Sequence, residues 1–195
     1  MRVLAVLAHP YATSTSGTLF YAAVEQLRQQ GITVDVLDLY KHADRIPFLQ
    51  LPEPGKSFDS VVADIPFYHE NKALFMAADR LLIAYPVWWY AVPGIMKAWL
   101  DLITNYAWQS NPSKHYAEPR HNITKALIIN TASMNWWHRF FFSRNSATEM
   151  VKESCKFLGI RAIKTCEINT AKKLSEKQKN RSLEQIKKQA SWLAS

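Results

Sequence analysis

Residues 3–8 form a continuous apolar run that stops at His9-Pro10. A run of this length ended by a breaker predicts a strand buried on both faces. A hydroxyl-rich loop over residues 9–17 follows. Leu19, Ala22, Ala23, Val24 and Leu27 then recur at spacings of three and four, which predicts a helix to about Gln30 with Gly31 as its stop. Residues 32–39 alternate and are rich in branched side chains, so a second strand closes a βαβ unit with a right-handed crossover.

Between residues 40 and 66 the pattern dissolves under Pro47, Pro52, Pro54, Gly55 and Pro66. This predicts a long surface excursion with little regular structure, uncommon unless it covers a site or a partner. A helix is expected over 67–78 and a third strand over 80–85, ended by Pro86. A loop over 87–92 leads to a helix from 93 to about 104, with Pro93 at the first helical position, where its missing amide is no loss. Residues 105–122 read as irregular, 125–130 as the fourth strand, and 145–158 as a helix closed by Gly159. The fifth strand is expected over 160–168, and a terminal helix over 175–193 with Ser175 as its cap. Alternating strands and helices predict an α/β fold: a five-stranded parallel sheet in order 2-1-3-4-5 with helices on both faces. No repeat or low-complexity linker divides residues 1–195, which read as one domain.

Composition narrows the function classes. With 195 residues, 48% of them hydrophobic, one core can bury most of the apolar surface. No run approaches the roughly 18 apolar residues that a membrane span needs. The opening apolar run is too short for a signal peptide, and Cys155 and Cys166 have neither disulfide-framework nor zinc spacing, so a cytoplasmic protein with reduced thiols is expected. The net charge of +8 invites a nucleic-acid hypothesis. Many of the cations, however, sit with Glu176 and Glu184 on the terminal helix, as a solvated face would place them, and no nucleic-acid motif is present.

In an open α/β sheet the ligand lies beyond the carboxyl ends of the strands, where strand order reverses. Three loops meet there. The first, 9–18, offers hydroxyls at Thr13, Ser14, Thr15, Ser16 and Thr18 beside a helix start. That composition suits a phosphate cradle, and equally an ordinary helix cap. Neither GxxxxGK[ST] nor GxGxxG occurs, so nucleotide hydrolysis and a dinucleotide fingerprint have no support. In the second loop, Trp88, Trp89 and Tyr90 cannot all face the core; either a flat ring ligand or a second copy of the chain would cover them, and both can hold together. The third loop follows the fourth strand.

These features resemble the flavodoxin-2 family of NAD(P)H:quinone oxidoreductases, which includes the DT-diaphorase, drug-activity-modulator and potassium-efflux ancillary branches. The matching strings are Leu7-Ala8-His9-Pro10, Ala77-Ala78-Asp79-Arg80-Leu81, and the stretch 85–101, in which Pro86, Trp89, Tyr90, Pro93, Lys97 and Asp101 fall at the family's positions. The resemblance implies a flavodoxin-like fold and a flavin, FMN or FAD. Its phosphate would lie against His9, Ser14, Ser16 and the neighbouring Gly17 and Thr18, and its ring against Pro86, Val87, Trp88, Trp89 and Tyr90. Asn130, Thr131, Ala132 and Ser133 would face the ring from the third loop. There the better-known members carry a Thr-Thr-Gly-Gly that this chain lacks, which alters how closely backbone can approach the ring.

The resemblance further implies NAD(P)H as reductant, a quinone or other aromatic acceptor entering the same pocket by a ping-pong scheme, and a homodimer. Counting forward places His138 and Arg144 where DT-diaphorase carries a Tyr and a His, so His138 is the candidate catalytic residue. Its aromatic neighbourhood, 136–142, reads alternatively as a lid or an interface wall. The alternative function is a flavin-binding regulatory subunit of a membrane transport system, and a membrane partner belongs only to that alternative.

Overall fold

The computed structural model describes residues 1–110, 117–135, 137, 141, 144–171 and 174–195. Strands β1 (Arg2–Leu7), β2 (Thr33–Asp38), β3 (Arg80–Pro86), β6 (Lys125–Thr131) and β7 (Ala162–Ile168) form one sheet in order β2-β1-β3-β6-β7. All its pairings are parallel. This is the predicted 2-1-3-4-5 order of a flavodoxin-like fold, with the switch point between β1 and β3.

Side chains alternate across each central strand. Leu4, Val6, Leu81, Ile83, Ala126 and Ile128 pack on one face against Phe67, Phe75, Met96, Trp99, Val151 and Cys155. Val3, Ala5, Leu7, Leu82, Ala84, Leu127 and Ile129 pack on the other against Phe20, Val24, Leu27, Ile186, Ala190 and Leu193. The first helical layer comprises α3 (Pro66–Ala77), α4 (Gly94–Tyr106) and α5 (Ser146–Phe157), and the second α1 (Thr15–Gln29) and α6 (Glu176–Ala194). Burial on both faces explains why the central strands read as unbroken apolar runs while edge strand β2 keeps polar positions. Among the described residues no helix is long and apolar enough to cross a membrane.

Three local expectations change. The excursion after β2 contains a 3-10 turn, Leu39–His42, and a short helix, α2 (Phe58–Val62). Leu39 of the 3-10 turn and Val62 of α2 are buried, which anchors this otherwise proline-punctuated stretch at two turns. Pro93 is the cap of α4 rather than its first helical residue, and Gly94 opens the helix. The stretch expected to be irregular contains a small antiparallel ladder, β4 (Trp108–Ser110) with β5 (Ala117–Pro119), too short to give a periodic signal. Helix α6 begins with a capping box between Ser175 and Gln178, and its Lys179–Glu176 and Lys187–Glu184 pairs are those of a solvated face.

Candidate functional site

The carboxyl end of β1 feeds directly into the start of α1. The Ala8 amide donates to Ala84 O at 2.9 Å, so the loop leaves the sheet from a point locked to β3. Ser14 caps α1 by accepting the Gly17 amide on Oγ at 3.0 Å. Gly17 is needed for close approach: a Cβ there would stand 2.1 Å from the Ala12 carbonyl oxygen. The first turn of α1 has no acidic residue, so the positive end of the helix and its first amides are available to an anion.

His9 accepts the Tyr11 amide on Nδ1 at 3.0 Å, which leaves the proton of the neutral ring on Nε2. Burial lowers the pKa of this imidazole below the ordinary histidine value, so the neutral ring is the form at neutral pH. Its ring meets Trp88 edge-on at 6.0 Å.

The aromatic loop after β3 is a tight reversal. Trp88 and Ala91 exchange two backbone hydrogen bonds of 3.0 Å, and Trp89 and Tyr90 between them have φ of 53° and 65°. Two central residues at positive φ make a type I′ geometry, which normally selects Asn-Gly and which bulky residues enter at a cost. The indole of Trp89 is 94% exposed. The loop is tied to the neighbouring strand by the Val87 amide donating to Thr131 O at 2.8 Å.

Between these loops lies a shallow, open cleft of about 170 Å³. Ser14, Thr15 and Ser16 line one end, Pro86, Val87 and Trp88 one wall, and Thr131, Ala132 and Ser133 the other. The buried Ser16 and Thr131 hydroxyls meet at 2.6 Å and join the first and third loops. The three loops singled out from topology therefore do converge.

Several expected residues stand elsewhere. Asn130 is fully buried and donates from Nδ2 to Thr148 Oγ1 at 3.1 Å, because its position on β6 turns the side chain toward the α5 layer. Gly17 shapes the loop rather than lining the cleft, and Thr18 points into a neighbouring groove. Trp89 and Tyr90 stand at the rim and are not part of the lining. His138 lies outside the described residues.

Two lining residues escaped the sequence reading. In the sequence Thr15 is one hydroxyl among several. Ala171 comes from the loop after β7, and extending the strand-end rule to the fifth strand would have found it. Ala171 is tied in by its amide donating to Ala132 O at 2.8 Å.

Beside the cleft, a groove of about 370 Å³ runs from Thr13, Thr15 and Thr18 to Glu176, Lys179, Asn180 and Leu183 on α6. Thr15 borders both spaces.

A sequence profile described as a flavodoxin-like fold, Flavodoxin_2, matches residues 1–191. Among curated proteins, the chain is 30% identical over 166 residues to a ribosyldihydronicotinamide dehydrogenase-like protein of Penicillium crustosum, covering 74% of this chain and 61% of that protein. The chain spans about half to six-tenths of the length of the curated relatives it matches. Among solved structures, an NAD(P)H:quinone oxidoreductase from Methanothermobacter marburgensis superposes with a TM-score of 0.79 at 20% identity, covering 100% of this chain and 98% of that one. An FMN-dependent NADH-azoreductase from Bacillus anthracis, solved with FMN, gives 0.78 at 16% identity, covering 100% and 99%. At these identities the two structures establish the shared fold.

Proposed function

The chain belongs to the flavodoxin-2 family, and from that premise we propose that it is a flavin-dependent NAD(P)H oxidoreductase that reduces quinones or related aromatic acceptors. The observation that carries this reading is the cleft, in which hydroxyls and a helix start face one end and a proline–indole wall flanks the space beyond. The residues present fit a flavin. Ser14, Thr15 and Ser16 bind its phosphate with the amides at the start of α1, and His9 keeps its Nε2 proton for the same anion. Pro86, Val87 and Trp88 orient the ring and exclude water from one face. Thr131, Ala132 and Ser133 confront its polar edge. A bound flavin supplies hydride exchange, from the nicotinamide and then to the quinone. The open mouth of the cleft admits one flat reactant after another, which supports the ping-pong order.

Of the two flavins, FMN would need no space beyond the cleft and its open mouth. The groove toward Lys179 and Asn180 supports FAD, since an adenosine half leaving the phosphate end at Thr15 would lie along it. The exposed aromatics Tyr11, Trp89 and Tyr90 of the first two loops support a homodimer closing over the mouth. The buried, unpaired thiols of Cys155 and Cys166 agree with a cytoplasmic setting.

The test is direct. Flavin released from purified protein is identified by mass, apo-protein is titrated with FMN and FAD, and NAD(P)H oxidation is followed with and without a quinone. Uptake of one flavin and quinone-dependent oxidation are expected. Failure to take up either flavin overturns the reading, and uptake without turnover overturns the enzymatic part.

A further inference from the structure

We propose that Ser146 is a positioning residue: its hydroxyl clamps the aromatic turn 88–91 and so sets the wall against which a flat ring ligand rests. The inference deepens the flavin reading and rests on it.

The Ser146 hydroxyl donates to Tyr90 O at 2.6 Å, across a sequence separation of 56 residues. On both sides of this bond the backbone is strained. Among the described residues, the non-glycine positions with positive φ are Trp89, Tyr90, Arg144, Asn145 and Thr170, and four of these five flank the contact. Two left-handed segments of bulky residues thus face each other and are stitched where they meet. Left-handed backbone is disfavoured for a residue with a Cβ, and it persists where surrounding contacts over-determine it.

The far end of the clamp is anchored to the sheet. Ser146 opens α5, and the next two residues each join a different strand end. Tyr85 at the end of β3 donates from its hydroxyl to Ala147 O at 3.1 Å, and Asn130 on β6 donates to Thr148 Oγ1 at 3.1 Å. Three consecutive residues of one helical turn therefore tie the aromatic turn, β3 and β6 together, and the height of the turn above the strand ends is transmitted through α5. The cap position of α5 belongs to Asn145, so the Ser146 hydroxyl is not spent on capping the helix. This also accounts for Asn130 facing away from the cleft: it acts on the wall through Thr148 and α5.

The experiment compares wild type, Ser146→Ala and Ser146→Thr as full-length protein. FMN affinity is measured by titration of the apo-protein. Chymotryptic nicking of the apo-protein after residues 88–90, located by mass, reports how often the turn opens. One well-formed hydrogen bond corresponds to about a fivefold effect. Ser146→Ala is expected to weaken FMN binding about fivefold and speed nicking by a similar factor. Ser146→Thr is expected to restore both, and the melting temperature of Ser146→Ala is expected to fall by no more than the roughly 2–4 °C that one lost hydrogen bond implies. Unchanged nicking in Ser146→Ala overturns the clamp, and faster nicking with unchanged affinity overturns its role in placing the ring. A defect that threonine does not restore, or one accompanied by a fall in melting temperature well beyond that of a single hydrogen bond, assigns Ser146 to the general stability of α5 and also overturns the proposal. If wild type takes up no flavin, the functional reading fails, while the nicking comparison still decides the clamp.

Discussion

Replacing Gly17 with alanine tests whether the first loop is built as a cradle. The new Cβ would stand 2.1 Å from the Ala12 carbonyl oxygen, 2.7 Å from its carbon and 2.9 Å from its Cα. All three atoms are backbone, so no side chain can swing aside, and the loop must retreat by about 1 Å to restore ordinary contact. Its ends are held, at Ala8 by the bond to Ala84 O and at Ser14 by the Thr18 amide donating to Ser14 O at 2.8 Å. The displacement therefore falls on residues 9–13, which carry His9. Overpacking of this kind costs about 1–3 kcal/mol, or a fall of roughly 2–12 °C in melting temperature for a chain of this size.

Ligand affinity should suffer too, because the displaced segment carries His9, which lines the cleft. Titration of apo-protein with FMN, followed by the quenching of flavin fluorescence, should give a dissociation constant raised at least about tenfold, or about 1.4 kcal/mol. Gly94→Ala is the control, since a Cβ there meets nothing within 4 Å; it should bind FMN as wild type does. If Gly17→Ala binds FMN within twofold of wild type, the cradle assignment is wrong.

Two further perturbations probe the core beneath the site. His121 is buried; its Nε2 donates to Leu158 O at 2.8 Å and its Nδ1 accepts the Ile123 amide at 3.1 Å. Burial lowers its pKa from the ordinary value of 6.5, so in mild acid the unfolded chain binds a proton that the folded chain does not. Stability contributed by the neutral ring is thus complete above pH 6.5, falls as pH drops from there toward the lowered folded pKa, and is constant below it. Melting temperatures measured from roughly pH 7.5 to roughly pH 5 should show a smaller acid loss in His121→Gln than in wild type; identical profiles would refute this. Separately, Asn71→Leu strands the buried Trp99 Nε1–H, which donates to Asn71 Oδ1 at 2.9 Å. It should cost about 1–3 kcal/mol in urea unfolding, and a loss well below that would mean that the indole finds another acceptor.

The parts of the fold legible from sequence were those in which one periodicity dominates. The runs at 3–8, 81–85 and 126–129 are apolar because both faces of β1, β3 and β6 are covered, and their alternation with helices points to a parallel sheet. The ladder of β4 and β5, three residues a strand, is too short to register as a period. In the site, residue type located the loops but not the direction of each side chain. Asn130 had the right chemistry at a strand end, yet the two-residue alternation of β6 turned it toward α5. Thr18 is one helical step beyond the cleft and serves the adjoining groove. The Ser146–Tyr90 bond joins loops 56 residues apart, and no local pattern encodes it.

The strain left in the aromatic turn shows what the wall demands of the chain. Trp89 and Tyr90 occupy the two positions of a type I′ turn that Asn-Gly would fill with little strain. A residue with a Cβ in the left-handed region carries a penalty of roughly 1–2 kcal/mol, an appreciable part of a typical domain stability of about 5–15 kcal/mol. Trp89 does not repay this by burial, being 94% exposed, while Tyr90 is 45% exposed. The bulk of Trp89 contributes little to the isolated fold and is accounted for by what would meet the rim, a ring ligand or a second subunit. Replacing the pair by Asn-Gly should therefore stabilise the apo-protein by about 1–2 kcal/mol while weakening FMN binding or dimerisation. Thermal unfolding, flavin titration and sedimentation on the same variant separate these effects. A destabilised apo-protein would mean that the aromatics serve the fold, and a more stable protein with unaltered binding and assembly would leave the strain without a function.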